Sequence, residues 1–406
     1  MYYITAKRDL RRGCQMTFEE MLFQTFKLPA RSWKESDTIT IRREYLDNRY
    51  IVSANVPYLI SRLTKFVTDH AGLYEVDRRS LYYSFKIPKK TGGYRQIDAP
   101  ESELSDALIE LREIFQKDFR ALYHTSAWAY IERRSTVDCV KRHQENKSRW
   151  FAKLDLHNFF GSTTPDFVMQ QLSMVYPFCA VMQYREGVDI LRKALDLCFL
   201  DGVLPQGTQI SPLLTNIMMI PIDFELSKAF RESDQRFIYT RYADDFIISS
   251  RYDFDVNEVA DTVKSTLKKF NAPFTLNDKK TRYGSSSGSN WNLGVVLTKD
   301  NKITVGYKNK KNMQCAMANL VRDHNNGVRW SLGDLQHLQG IHSYYDMVEH
   351  DTIKAMVDHL GEKLGADILG ILRSEIKNYS SSSMPQQPHA ELPDTLDMYL
   401  AFTDFD

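Results

Sequence analysis

The stretch Arg241-Tyr242-Ala243-Asp244-Asp245-Phe246-Ile247-Ile248-Ser249 constrains this chain more than any other. Residues 237–242 and 246–249 read as strands, and the Asp-Asp pair between them reads as the turn. A β-hairpin with that tip holds two carboxylates side by side on an apolar support. Like charges so close raise one another's pKa unless a cation lies between them. A divalent ion such as magnesium is the natural partner, because hard cations prefer carboxylate oxygen. Alone, the pair would more often be an acidic surface turn; two further segments turn the argument.

The first runs from Trp150 to Phe160 and reads as a strand with Asp155 near its end. Thr164 and Pro165 then open a helix as N-cap and first-turn proline. Because that cap is already assigned, Asp155 leaves an apolar strand needing a cation or donors of its own. His157 nearby has no second His or Cys at ligand spacing and reads as a surface or supporting residue. The second segment is the tight loop Leu204-Pro205-Gln206-Gly207, which precedes a helix starting at Ser211-Pro212. Upstream, residues 85–100 read as a hairpin around Lys89-Lys90-Thr91-Gly92-Gly93, with Lys86, Lys89, Lys90 and Arg95 projecting from it. Such a basic tip is either simply solvated or a clamp on triphosphate or nucleic-acid backbone, a task that suits the arginine fork and the lysine point charge.

The remaining chain sets the frame. With 406 residues there is room for two or three domains, and a net charge of +1 means any basic surface is local. Cys14, Cys139, Cys179, Cys198 and Cys315 form no CxxC pair, which argues against a structural zinc site and a disulfide framework and fits a reducing cytoplasm. No signal-peptide layout opens the chain, and no apolar run approaches the roughly 18 to 20 residues of a membrane helix. Residues 1–80 read as a helical extension, with Leu59, Leu63, Phe66 and Val67 at helical spacing. Leu104, Leu108, Leu111 and Phe115 mark one helix face, and residues 256–270 another. Aromatics alternate with Arg133 and Arg134 across 127–135, fitting a nucleic-acid surface or a lid on the core. Residues 291–297 and 302–307 read as a hairpin. Lys308, Lys310 and Lys311 then form the basic entrance to a small helical region, followed by a linker near 379–390 and an acidic tail.

Strand-Asp155-x4-Phe160, Leu204-Pro205-Gln206-Gly207, Tyr242-Ala243-Asp244-Asp245 and Leu293-Gly294 stand in the order of reverse transcriptase motifs, and the stretch Ile87–Arg95 resembles the fingers motif of bacterial enzymes. The chain resembles the reverse transcriptases of group II introns, retrons and phage-defence systems over residues 80–345. The resemblance implies an α+β right-hand polymerase fold: fingers over 81–150, a palm with antiparallel sheet and inserted fingers elements over 151–307, and a helical thumb over 308–378. It also implies nucleotidyl transfer with two Mg2+ ions, held by Asp155, Asp244, Asp245 and the backbone carbonyl of Leu156. Phe160 would be the steric gate against a ribose 2′-hydroxyl; Gln206, Gly207 and Ala243 would line the nucleotide and primer end; Lys86 and Arg95 would bind the triphosphate. Lys279 or Lys280 could protonate pyrophosphate. Lys308, Lys310, Lys311, Arg133 and Arg134 would contact nucleic acid, largely at phosphates and 2′-hydroxyls.

Retron enzymes carry Val-Thr-Gly where this chain has Asn292-Leu293-Gly294, which speaks against the retron subgroup. No zinc-binding endonuclease segment follows the thumb, and there is no length for RNase H. These departures favour a compact cytoplasmic enzyme most like the phage-defence group, working on a companion noncoding RNA template with a DNA or RNA primer and deoxynucleoside triphosphates. Self-association is left open. The competing expectations are a retron enzyme making multicopy single-stranded DNA, an untemplated DNA synthesiser, and an RNA-binding scaffold that no longer catalyses.

Overall fold

The computed structural model describes residues 2–6, 38–43, 51–88, 93–120, 122–286 and 291–381, which fall into two compact units. The first comprises Met1–Ser135 and Ala152–Tyr283; the second comprises Thr136–Phe151 and Gly284–Asp406. The expected linker begins later than position 379, since helix runs to Ser381; the rest of it, the acidic tail, Cys14 and the Lys89-Lys90 hairpin tip lie outside the described residues.

The first unit begins with strands, not helices. β1 (Tyr2–Ala6), β2 (Thr38–Arg43) and β3 (Ile51–Asn55) form an antiparallel sheet in that order. The alternation Thr-Ile-Thr-Ile-Arg in β2 has a period of two, which suits a strand and corrects the helical expectation for these residues. Helix begins only at Val56–Asp69, where the Asn55 side chain accepts the Tyr58 N–H at 3.3 Å and Leu59, Leu63 and Phe66 are buried as their spacing predicts. β4 (Tyr82–Pro88) and β5 (Tyr94–Pro100) pair antiparallel from Tyr82↔Pro100 to Pro88↔Tyr94. Leu104, Leu108, Leu111 and Phe115 are all buried, in a helix over Ser102–Glu113 that closes with a π turn.

The central sheet holds β6 (Trp150–His157), β7 (Ile238–Tyr242), β8 (Asp245–Ser250), β9 (Thr275–Leu276) and β10 (Arg282–Ser285), in the order β10-β6-β8-β7 with β9 also on β6. Every residue of β8 is buried, so its apolar run does not alternate. The helix Val256–Lys269 turns Val259, Val263 and Leu267 inward, and Asp255 caps it by accepting the Asn257 N–H at 2.8 Å. The helix Ser211–Met218 starts at the expected Ser211-Pro212, but Ser211 is not its cap. Ser211 is its first helical residue, and the Thr208 hydroxyl accepts the Ser211 N–H at 3.3 Å.

In the second unit the expected hairpin over 291–307 is split into three strands. β11 (Trp291–Asn292) turns at Leu293 (φ +53°) and Gly294 (φ +82°) into β12 (Val295–Leu297), which pairs with β13 (Ile303–Thr304). Three helices follow, Tyr307–Asn325, Leu332–Leu364 and Ile368–Ser381, around a core that includes Met313, Met317, Leu320, Val321, Leu335 and Leu338. The long helix kinks at Glu349, whose φ of −140° and ψ of 57° are not helical. Among the described residues no helix is long and apolar enough to cross a membrane.

Candidate active site at the acidic hairpin tip

Register places the acidic residues. Tyr242 pairs with Asp245, so the two-residue turn is Ala243-Asp244 and Asp245 already belongs to β8, one residue on from the sequence-based turn. Ala243 occupies the turn with φ +54°, the sign that tight hairpins require at their first loop position and that a residue with a Cβ adopts only under constraint. β6 is the neighbour of β8. The Leu156 N–H donates to the Asp244 carbonyl at 3.0 Å, which brings Asp155 and Asp244 to one place from segments 89 residues apart. Amide and carbonyl of one strand residue leave on the same edge, so the Leu156 carbonyl also faces the hairpin tip.

Asp155 and Asp245 are each only 8% exposed. Burial, reinforced by Asp245 and Asp155, pushes the Asp244 carboxyl up to about 7. Asp245 is also raised, by burial first, with Lys153 pulling it back. Two lysines answer this charge. Lys153 lies two residues before Asp155 on the same strand face and meets Asp245 at 2.9 Å. Lys280 reaches Asp155 at 3.3 Å, and Asn277 donates to the same carboxylate at 3.3 Å. Burial lowers Lys280, but the three aspartates outweigh it and hold its ammonium above the usual range. Of the pair Lys279 and Lys280, the structure brings Lys280 to the acid cluster.

Among the described residues no three His, Cys, Asp or Glu side chains close into a metal cage. The donor set nevertheless fits a hard divalent cation: three carboxylates supply oxygen only, and one is pushed toward its neutral form by burial and then by its acidic neighbours, a charge that such a cation would offset. Asp155, Asp244, Asp245 and the Leu156 carbonyl are the groups that would hold it.

Backbone hydrogen bonds join the Leu204–Gly207 loop to the turn after β6 and to the β4–β5 hairpin. Phe160 sits in the short turn Phe159–Ser162 after β6; Phe159 is buried against Phe274, with ring centroids 4.9 Å apart, and Phe160 is the half-buried member of the pair. Leu204 donates to the Thr163 carbonyl at 3.1 Å, and the Gln206 carbonyl accepts the Asp98 N–H at 2.8 Å, so the loop bridges the Phe160 turn and β5. Gly207 (φ +129°) lies so close to β5 that a Cβ there would stand 2.7 Å from the Asp98 carbonyl oxygen. Lys86 and Arg95 part company. Lys86 faces Gln96 and Arg95 faces Ile87, which puts them on opposite faces of the hairpin. Arg95 lies within electrostatic reach of Tyr130, which in turn feels Asp244 and Asp245. Tyr130 entered the sequence reading only as one of the aromatics of 127–135, with no link to the acids. The parallel bridge Ala127↔Arg241 lays its segment beside the strand that leads into the tip.

The expected nucleic-acid contacts divide between the two units, Arg133 and Arg134 in the first and Lys308, Lys310 and Lys311 in the second. Arg134 is spent on the His124 and Ala127 carbonyls and lies 5.6 Å over the Trp128 ring, whereas Arg133 is open, with its side chain 91% exposed. Lys310 pairs with Glu349 at 2.9 Å, while Lys308 and Lys311 stand on the first turns of the helix Tyr307–Asn325.

Residues 87–314 match the family described as reverse transcriptase (RNA-dependent DNA polymerase), more than half of the chain. The chain belongs to the reverse transcriptase family, has its α+β right-hand polymerase fold, and is an RNA-directed DNA polymerase. Within that family it is similar to bacterial retron enzymes. It shares 30% identity with the retron Ec83 reverse transcriptase of Escherichia coli over 74% of this chain and 90% of that one. It shares 30% with the retron Ec73 reverse transcriptase of Escherichia coli over 52% and 66%, and 31% with the retron Mx162 reverse transcriptase of Myxococcus xanthus over 43% and 37%. The retron kinship that Asn292-Leu293-Gly294 spoke against is therefore carried by the wider sequence. A telomerase structure from Candida tropicalis aligns over 65% of this chain and 63% of its own with 12% identity and a TM-score of 0.38, a likeness on which nothing here depends.

Proposed function

We propose that this polymerase copies a companion noncoding RNA into DNA from deoxynucleoside triphosphates, by magnesium-dependent two-metal nucleotidyl transfer at Asp155, Asp244 and Asp245. The observation that carries the reading is the Leu156–Asp244 hydrogen bond of 3.0 Å, which unites acids from two distant segments, together with the Asp244 carboxyl raised to about 7. A divalent pair bound there would acidify the attacking primer 3′-hydroxyl and offset the charge on the leaving pyrophosphate. The chain's own groups do the rest. The Ala243-Asp244 turn sets the acids at the primer end. Lys280 stands with a proton available on Nζ beside Asp155, suited to the departing pyrophosphate. Phe160 excludes a 2′-hydroxyl, and Gln206 and Gly207 line the nucleotide.

The same reading assigns fingers to 81–150, palm to 151–307 and thumb to 308–378, and places the enzyme in antiviral defence in the cytoplasm. A second reading, that the product is a retron-type DNA made on its own RNA, is favoured by the relatives just described. One experiment separates them. The protein is purified with its flanking DNA co-expressed, and its bound RNA and any attached DNA are sequenced. A DNA covalently joined to the RNA identifies the retron product; free complementary DNA identifies the defence polymerase. Magnesium-dependent incorporation on a primed RNA is expected to vanish in Asp244→Ala, and persistence of synthesis in that variant would remove the assigned site.

A further inference from the structure

The turn that carries Asp244 depends on a residue in the left-handed region, Ala243 at φ +54°. A strained turn keeps one shape only where its surroundings over-determine it. Here the surroundings converge on Arg241, the most voluminous of the fully buried side chains. Its Nε donates to both Asp223 oxygens at 2.9 and 3.1 Å, and Nη2 donates to Asp223 Oδ2 at 2.8 Å. Nη1 donates to Asn216 Oδ1 at 3.2 Å and to the Ala243 carbonyl at 3.1 Å. The Tyr239 hydroxyl donates to Asp223 at 2.7 Å and completes the carboxylate's shell. On the backbone, the Arg241 N–H donates to the Ser126 carbonyl at 2.6 Å, and its own carbonyl accepts the Trp128 N–H at 2.9 Å. The Arg241 side chain therefore ties two helices to the peptide immediately before Asp244, and its backbone ties in a neighbouring segment.

A buried ion pair is a poor source of stability, since desolvation offsets most of the attraction. What this one supplies is direction. The rigid fork is fixed on Asp223 and spends its remaining donors on Asn216 and the turn. Lysine would keep the charge but could not span all three acceptors. We propose that Arg241, held by Asp223, is a positioning residue that aims the Asp244 carboxylate toward Asp155 and thereby sets the affinity of the site for a divalent cation. This rests on the reading of Asp155 and Asp244 as cation ligands given above.

The test uses the full chain and Mn2+ as probe, with binding measured by calorimetry without nucleic acid and Mg2+ dependence measured by incorporation on a primed RNA. Arg241→Lys is expected to weaken Mn2+ binding about 10-fold or more, as loss of a ligand-orienting partner does elsewhere. It should raise the Mg2+ needed for half-maximal rate by a similar factor and leave the KM for deoxynucleotide within about twofold. Asp223→Asn, which keeps the shape of the partner, should move both in the same direction and serves if Arg241→Lys does not fold. Val263→Ala, a core change on the helix Val256–Lys269, should lower the melting temperature and leave Mn2+ affinity at the parent value. Parent-like Mn2+ binding in the folded Arg241 or Asp223 variant overturns the proposal, as does an equal loss in Val263→Ala. A parent that binds Mn2+ but incorporates nothing defeats the polymerase reading and leaves the positioning claim to be judged on binding. A parent that binds no Mn2+ defeats both.

Discussion

At the scale of single residues, Asp244 shows how the site is poised. Folding raises its carboxyl to about 7, chiefly by burial. The folded chain thus holds a proton that the unfolded chain has already released. That contribution to stability is complete below the unfolded value near 4 and is lost as pH climbs through about 7. In EDTA, Asp244→Asn is expected to raise the melting temperature at pH 8 by roughly 2–5 °C and to give a gain of only about a third of that at pH 5. Added Mg2+ should stabilise the parent at pH 8 but not this variant, and calorimetric melts at the two pH values check it. Phe160 makes a separate prediction. Phe160→Ala is expected to let ribonucleotides in, cutting discrimination against them about 10- to 100-fold, read as the ratio of kcat/KM for the two sugars. The acids were legible in the sequence because strand, turn and charge coincide there. Lys153 was not, although its two-residue spacing from Asp155 was the signal; the aromatic run 127–135 flagged Tyr130 but not its tie to the acids, which rests on the parallel bridge Ala127↔Arg241.

At the scale of elements, the informative pieces are those that hold one segment to another. The Leu204–Gly207 loop was visible as a tight turn, but its docking on β5 through Gln206 and Asp98 is a tertiary fact that no local pattern encodes. Gly207→Ala must fit a Cβ 2.7 Å from the Asp98 oxygen at φ +129°, so about 1–3 kcal/mol of stability should be lost, with a higher KM for the nucleotide. A chemical melt and steady-state kinetics test both. In the second unit the sequence offered Lys310 as a phosphate contact, yet the kinked Glu349 claims it while also accepting the Thr304 hydroxyl at 2.6 Å and the Val305 N–H at 2.7 Å. That partner lies 39 residues away and was invisible to charge patterning. Glu349→Gln should free Lys310 and steepen the salt dependence of nucleic-acid binding by roughly one counterion, measurable as the slope of log K against log salt. The first strands were misread because the helical spacing from Leu59 was extended backward over a run of period two.

At the scale of the molecule, order of motifs gave the class, because four short patterns in sequence specify one arrangement better than any single one does. Partition of the chain was less legible, for it is set by which surfaces cover which. The helix Thr136–Glu145 buries Val137, Cys139 and Val140, and it packs on β12 and β13, far downstream. The second unit is therefore fed by the chain twice, once in passing and once for good. A gene split after the codon for Tyr283 should accordingly yield an N-terminal product with an oily orphan helix in its middle. That fragment is expected to aggregate or be clipped by protease between 136 and 151 when made alone, and to be rescued when 284–406 is supplied in trans. Fission would have to respect this interleaving, so the two halves of this enzyme can be inherited only as one reading frame or as partners made together.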